Sequence, residues 1–481
     1  MIFITVTKRN TMNQYKKLGK NVLLLLVSNF VTKILSFLMV PYYTTILSTS
    51  DYGIADLIST TVMLALPFFS LLMEDAILRF ALDAGNDRKQ VFSIAVTVST
   101  VGFIIAVLVS PVILFVPAIK DYYWFVILYY ASIYLYNIFS NYVKGLNKVS
   151  IMAIAGVIHS ILYLGINILC LSVFRWGVYG YLLAIDLSNM ITVVFFVLYC
   201  RLYMDFIPLK KLDWTLAKSM IKYSMPMIPN YISWWVNNAS DRYILSMFCG
   251  TSVNGIYAVA YKIPTILNSV TSIFSSAWQI SAVDNFGTKE SIRFYNKVYR
   301  IYSGFLSIVA SGLILITKLL AQMLFAKEFF QAWRITPILI LSYIFSAQAN
   351  FLCSIFMASK KTKKIYFPPT VGAVFNVLMN FILIPKMEGT GAAIATAFGC
   401  FTILIVEVIM TKKILNMDFG VIRNVTGYVL IIIEILSILN DSILGYIVAL
   451  LCVIGIVCIN IRELIHLVKL TVEKIQMRKV G

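Results

Sequence analysis

The strongest constraint on this chain is its succession of apolar runs, each about as long as a bilayer is thick, separated by short segments in which the charges collect. A helix rises 1.5 Å per residue and needs roughly 20 apolar residues to cross hydrocarbon. Runs of that kind lie near 21–47, 54–78, 91–117, 122–143, 150–174 and 178–200, then near 222–249, 253–283, 298–317, 334–357, 365–385 and 391–411, with two more near 424–440 and 442–461. With 60% of its 481 residues hydrophobic and 13% charged, the chain has too little polar surface to coat a water-soluble globule. It is therefore expected to be an all-α integral membrane protein with about fourteen transmembrane helices.

The 40 basic residues give a formal charge of +19, which on a single folded face would suggest a nucleic-acid partner. They are instead dealt out in short clusters between spans, so no nucleic-acid partner is expected. Six (Lys120, Arg175, Lys318, Lys327, Arg334, Lys386) fall in odd-numbered loops, and three (Lys33, Arg242, Lys262) fall within spans. The rest, among them Lys16, Lys17, Lys210, Lys211, Lys360, Lys361, Lys363 and Lys364, lie in the opposite set. Because Lys and Arg are retained on the cytoplasmic side, both termini are expected there, and the total number of spans is expected to be even. The basic start, MIFITVTKRNTMNQYKKLGK, has the look of a secretory signal, but the run after it is too long and lacks a small-x-small site. It is expected to be the first retained span, with Met12 as an alternative start.

Seven cysteines (Cys170, Cys200, Cys249, Cys353, Cys400, Cys452, Cys458) stand singly, mostly in apolar stretches and without CxxC spacing, and the two histidines are His159 and His466. No disulfide framework, metal site, cofactor or His-based catalytic centre is expected from them. His159, inside a span, is read either as a hydrogen-bonded packing residue or as a proton relay.

The spans divide into two sets of six. TSDYGIADL after the first span is echoed by TSVNGIYAV after the seventh, each expected as a Ser-x-x-Gly-Ile turn at the outer face, and RWGVYGYLLA at the sixth by MEGTGAAIA at the twelfth. Six is even, so the halves are expected to insert the same way up, as a parallel repeat forming two pseudo-symmetric lobes around a central cleft. The expected organisation is a cytoplasmic N-terminus (1–20), an N-lobe (21–200), a cytoplasmic linker (201–221), a C-lobe (222–411), two C-terminal helices (424–461) and a cytoplasmic C-terminus (462–481).

Charges inside hydrocarbon must face a cavity or a partner. Lys33, Arg242 and Lys262, from spans one, seven and eight, are candidates for a cationic ladder that holds an anionic group. The alternative for the last two is pairing with a nearby acid, as of Asp241 with Lys262. Asn237, Asn238 and Asp241 are read as a polar face on span seven, and Trp234 and Trp235 on the same helix either stack on sugar rings or pack against a neighbour. Asp186, Glu407 and Glu434 are single acids in spans six, twelve and thirteen, each a candidate for carrying a coupling ion. Asp75 and Arg79 are expected to form a helix-end ion pair, and Pro67, Pro111, Pro264 and Pro337 to interrupt spans.

The segment YSMPMIPNYISWWVNNASDRYILSMFCGTSVNGIYAVAYKIP, together with Asp51-Tyr52-Gly53 and the Ala76-Ile77-Leu78-Arg79-Phe80 end of span two, resembles the bacterial polysaccharide transporter family of the O-antigen flippase (Wzx) type. That family sits with multidrug extruders and the lipid II flippase in one superfamily of exporters. The resemblance implies a bacterial inner-membrane flippase that moves undecaprenyl-pyrophosphate-linked oligosaccharide to the periplasmic leaflet for O-antigen, lipopolysaccharide or capsule assembly. It further implies alternating access driven by a proton or Na+ gradient, and a polysaccharide polymerase and a chain-length regulator as partners. Three rival readings remain. The first two are a cation-coupled multidrug antiporter, which would be expected to line its cleft with acids, and a membrane polysaccharide polymerase, which would need a large outer loop. A passive membrane scaffold is the third, and buried charges argue against it.

Overall fold

The structure, a computed structural model, describes residues 35, 37–83, 85–287, 290–359 and 365–480, with side chains in the last helix described up to 462. Lys33, most of the expected first span, the N-terminal segment 1–20 with Lys16 and Lys17, the basic cluster Lys360, Lys361, Lys363 and Lys364, and the side chain of His466 lie outside the described residues. Every regular element described is a helix. In chain order these are α1 (37–46), α2 (Thr49–Phe69), α3 (Met73–Leu82), α4 (Arg88–Val109), α5 (Tyr123–Gly145), α6 (Val149–Ile168), α7 (Gly177–Tyr199), α8 (Trp214–Ser224), α9 (Ile228–Cys249), α10 (Thr251–Ala260), α11 (Pro264–Asn285), α12 (Ser291–Leu315), α13 (Thr317–Leu324), α14 (Thr336–Ala358), α15 (Phe367–Lys412), α16 (Val421–Leu439) and α17 (Ile443–Val480).

Among the described residues nine helices are long and apolar enough to cross a membrane. Helices α5, α9 and α11 have the length, but Tyr in the first and Asn, Ser, Thr and Asp in the others lower their hydropathy. Helix α15, at 46 residues, is two spans joined at Glu388 (φ 50°, ψ −130°). Its limbs return against each other through glycine. A Cβ at Gly372 would sit 2.3 Å from Ile403 Cγ1, and one at Gly391 would sit 2.5 Å from the Leu383 carbonyl oxygen. Burial separates helices that form core from those that face lipid: 78% of the central stretch of α14 is enclosed but only 11% of that of α6.

The chain forms two compact units, Met1–Ile232 and Ser233–Gly481, the division falling within α9. In the first unit, Ser48 opens α2 with a capping box: its Oγ accepts from the Asp51 N–H at 3.1 Å, and its own N–H donates to Asp51 Oδ2 at 3.3 Å. The Asp51-Tyr52-Gly53 motif, expected as a turn, is therefore the first turn of a helix, because a Ser–Asp capping pair starts helices. The matching Thr251-Ser252-Val253-Asn254-Gly255 likewise opens α10. The other echoed pair also recurs as a positive-φ junction before a helix, at Gly177 (φ 53°) and at Glu388.

The second span is broken. Leu71 and Leu72 are both left-handed (φ 52° and 53°), a conformation that costs an L residue about 1–2 kcal/mol. Ser70 supports the break, its Oγ accepting from the Leu72 N–H at 3.2 Å and donating to Glu74 Oε2 at 2.9 Å. Asp75 takes the Tyr231 hydroxyl at 2.7 Å as a partner. Of the prolines expected to interrupt spans, Pro67 lies inside α2, whereas Pro264 and Pro337 begin α11 and α14, and Pro111 opens the 3-10 turn that ends α4. The first positions of a helix lose nothing by lacking an N–H, so proline is accommodated there.

The expected linker 201–221 is partly helical. Asp213 caps α8 by accepting the Thr215 and Leu216 N–H groups at 2.8 and 3.2 Å, and α8 buries Ala217, Met220 and Ser224 on one side. We expect Gly372→Val to lower the thermal unfolding temperature of the detergent-solubilised protein by overpacking the α15 hairpin, a loss of about 1–3 kcal/mol. Gly165→Ala, where a Cβ meets nothing within 4 Å, should leave it unchanged or raise it; equal behaviour of the two variants would contradict this packing.

Candidate functional site

Three pairs of polar residues at i, i+4 spacing lie close together in the second unit: Asn237 and Asp241 on α9, Tyr257 of α10 and Tyr261 just beyond it, and Asn376 and Asn380 in the first limb of α15. Residues four apart share a helix face, so each pair projects as one polar patch. Asp241 is wholly enclosed, at 0% exposure. Its Oδ1 accepts the Arg242 N–H at 2.9 Å. Its Oδ2 accepts the Tyr257 hydroxyl, the Thr396 hydroxyl at 3.1 Å and the Tyr261 hydroxyl at 3.5 Å. Two helices thus supply hydroxyls to the carboxyl group of a third.

The amides nearby leave oxygens open. Asn237 donates to the Ser233 and Pro369 carbonyls, each at 2.9 Å, and Asn380 donates to Asn376 Oδ1 at 3.0 Å, where Ser240 also donates at 3.3 Å. The Oδ1 atoms of Asn237 and Asn380 are buried without a hydrogen-bond partner among the described residues. Gly399 permits this closeness: a Cβ there would lie 2.9 Å from Asn376 Cβ and 3.3 Å from Asn237 Oδ1. A buried polar atom left unsatisfied costs about 1–3 kcal/mol. Asn376 Nδ2 is likewise buried without a partner among the described residues, so the cluster leaves two acceptors and one donor open, and the oxygens beside an enclosed carboxyl could take a proton or a small cation. Among the described residues no three His, Cys, Asp or Glu side chains converge, so the set offers one charged ligand with amide and hydroxyl oxygens.

Of the three predicted cations, Arg242 lies at this centre through Tyr261, and Lys262 is brought near it in the chain. The Arg242 guanidinium sits 5.2 Å from the Tyr261 ring centroid, and Lys262 is the next residue, at the break between α10 and α11, its N–H donating to the Val259 carbonyl at 2.9 Å. Lys33, the third, is outside the described residues. The polar face expected on α9 divides in two. Asn237 and Asp241 are buried, while Asn238 is exposed with its amide on the Trp234 carbonyl at 2.7 Å, since a neighbour in sequence points about 100° away around a helix. Trp234 and Trp235 are half-buried, the latter tilted against Tyr243 with ring centroids 5.8 Å apart.

Among the described residues the three single acids have no hydrogen-bond partner in common with one another. Glu434 of α16 accepts the Ser311 hydroxyl at 2.6 Å, and Glu407 of α15 is buried with Oε2 unpartnered among the described residues. Asp186, in the first unit, belongs to a chain of its own. Ser132 donates to Asp186 Oδ1 at 2.7 Å and accepts from Asn189 at 3.3 Å, and Asn189 Oδ1 meets His159 Nε2 at 3.0 Å. Among the described residues Asp186 Oδ2 is buried without a hydrogen-bond partner. His159 is thus tied into a polar network. The hydroxyl and amide groups around Asp241 (Tyr257, Tyr261, Asn376, Asn380, Thr396) were not among the predicted site residues, although the repeated i, i+4 spacing of Tyr and Asn in otherwise apolar runs was a readable signal.

Residues 18–279, more than half of the chain, match the family described as polysaccharide biosynthesis protein. An uncharacterised membrane protein of Methanocaldococcus jannaschii is 27% identical over 236 residues, 44% of this chain and 45% of that protein, so the chain matches less than half the length of this curated relative. Among solved structures, a lipid II flippase in an inward closed conformation is similar with a TM-score of 0.69 at 14% identity, over 92% of this chain and 100% of that one. A multidrug resistance MATE family transporter in an inward-facing conformation gives 0.59 at 14%, over 79% and 97%. A transporter of the MOP superfamily from Pyrococcus furiosus gives 0.58 at 13%, over 83% and 95%. At these identities the likeness establishes the fold, which is that of a multi-pass membrane protein.

Removing one hydroxyl tests the Asp241 centre. We expect Tyr257→Phe and Asp241→Asn each to destabilise the protein, and the double variant to lose less than the sum, with a coupling of about 0.5–3 kcal/mol in thermal unfolding. Strict additivity would mean that the two side chains do not act on each other.

Proposed function

Because the chain belongs to the polysaccharide biosynthesis protein family, we propose that it is a transporter that moves a lipid-linked, pyrophosphate-bearing oligosaccharide between leaflets. The Asp241 centre would carry the coupling proton or sodium ion, and Arg242 and Lys262 would hold the anionic headgroup, with Lys33 as a further cation. The site alternates in exposure between the two sides of the membrane, and no covalent step is involved. The substrate is an undecaprenyl-pyrophosphate-linked repeat unit destined for surface polysaccharide such as O-antigen or capsule. The direction is from the cytoplasmic to the periplasmic leaflet of a bacterial inner membrane with both termini inside, and a polymerase and a chain-length regulator act downstream.

The observation that supports this reading most is the join at Tyr261, whose hydroxyl reaches the enclosed carboxyl while its ring carries the Arg242 guanidinium. An anion at Arg242 and a cation at Asp241 would then both act on one side chain. A cation-coupled multidrug antiporter is the competing reading, because transporters of that kind share the fold. Its substrate would require acids open to the ligand. Asp241, Glu407 and Glu434 are instead at most 2% exposed, and the half-buried charges beside Asp241 are basic.

Deleting the gene should leave lipid-linked repeat units on the cytoplasmic side and strip the cell of surface polysaccharide. Arg242→Ala should partly reproduce the defect, since a hydrogen bond to a charged group contributes about 1.5–3 kcal/mol, tenfold or more in binding. Asp241→Asn should abolish the dependence of flipping on the ion gradient. Normal surface polysaccharide in a deletion strain without a second flippase would falsify the assignment, and drug resistance conferred by the intact gene would shift it to the antiporter.

A further inference from the structure

The first unit contains a cavity of about 770 Å³, within the roughly 300–1,000 Å³ range of small-ligand sites. Ala65 and Phe68 of α2, Leu71 at the break, Val101 and Ile105 of α4, and Trp214 of α8 line it, almost without polar atoms. Its shape comes from two features already described. The left-handed leucines end α2 abruptly, and one of them, Leu71, forms part of the wall. Beside it Gly102 lets α4 press directly on the end of α2, because a Cβ there would lie 1.7 Å from the Phe69 carbonyl oxygen. Strained backbone of this kind persists where the surrounding structure holds it and tends to mark functional sites.

The lining residue Trp214 lies in a lysine-rich stretch. It is 57% exposed, and Lys210 and Lys211 before it and Lys218 and Lys222 after it on α8 are all exposed. This stretch is fastened to the start of α4. Gln90 donates to the Lys211 carbonyl at 2.9 Å and accepts the Asp213 N–H at 3.0 Å, while Ser93 Oγ accepts the Ile207 N–H at 2.7 Å. An amphipathic helix with lysines on its open face and an aromatic at the rim is suited to the headgroup layer, where each basic residue attracts anionic lipid.

We propose that this groove holds one acyl chain of an anionic glycerophospholipid of the surrounding bilayer, with its phosphate among Lys210, Lys211 and Lys218 and its chain running past Trp214 between α2 and α4. The lysines select the charge and the apolar walls take the chain. The inference does not depend on what the protein transports, so the two fail separately.

The test uses the full chain in phosphatidylcholine vesicles doped with phosphatidylglycerol that carries a photoactivatable diazirine on one acyl chain. After irradiation, labelled peptides are mapped by mass spectrometry. Label should concentrate on 61–71 and 97–105 above the level on α6, where Ile161 is 61% exposed and lies outside the lining of this cavity. Ala65→Phe, which fills the groove, and Val101→Phe, at a half-exposed position that tolerates bulk, should both cut groove labelling severalfold and leave α6 labelling as it was. Lys210→Gln, Lys211→Gln and Lys218→Gln should each lower it by up to about fivefold. A matching phosphatidylcholine probe should label the groove weakly and ignore the lysine changes.

Equal labelling of α6, indifference to both filling variants, or equal use of the phosphatidylcholine probe would overturn the proposal. So would displacement of the probe by a polyprenyl phosphate at a lower mole fraction than by unlabelled phosphatidylglycerol, which would give the groove to an isoprenoid chain.

Discussion

Hydrocarbon offers no hydrogen bonds, so a polar side chain within a span must be met by another part of the same protein. That requirement fixes how α9 packs. Asp241 has four partners, three of which are side chains from α10, its end and α15, and Asn237 on the same face binds the Pro369 carbonyl at the start of α15. A helix committed by one acid and one amide cannot turn about its axis without leaving both unsatisfied. The glycines of α15 follow from this, since Gly399 must be small for Asn237 and Asn376 to lie against it.

The fold class was legible because it depends on run length and charge spacing, both of which are linear properties of a sequence. The second span illustrates what was not. Nothing in Ser70-Leu71-Leu72-Met73 announces two left-handed residues, for leucine has no preference for that conformation; the break is imposed by packing and held by Ser70. Most of helix α8 falls in the expected linker, 201–221, and its last turn in the expected seventh span, yet Asp213 ahead of Trp214-Thr215-Leu216 is an ordinary capping signal. At the candidate site the charged residues were found and their company was not. A charge in an apolar run stands out by itself, whereas Tyr257 or Asn376 gains meaning only once α10 and α15 are seen to close on Asp241.

The two units use buried acids differently. In the second, Asp241 is surrounded by hydroxyl donors from separate helices, with open amide oxygens nearby. In the first, Asp186 terminates a line that runs through Ser132 and Asn189 to His159, with one carboxyl oxygen left over. Sequence repeats place helices in equivalent orders without preserving what the helices carry, because packing needs only size and pattern while polar chemistry needs particular atoms.

The arrangement at Tyr261 bears on how an ion gradient could do work on an anion. Arg242 follows Asp241 directly in the chain and donates its backbone N–H to it, but sends its guanidinium to the face of the tyrosine whose hydroxyl reaches the same carboxyl. Any ligand that takes up Asp241 Oδ2 competes with that hydroxyl and so acts on the ring on which the cation rests. Linkage makes the effect mutual: whatever factor a bound cation applies to anion affinity, the anion applies to cation affinity. The sign is set by charge, since a cation that neutralises the carboxylate leaves Arg242 less compensated and therefore a better seat for a phosphate. A single enclosed acid and a guanidinium that share one tyrosine are, on this argument, one electrostatic arrangement, in which the charge state of either bears on the other.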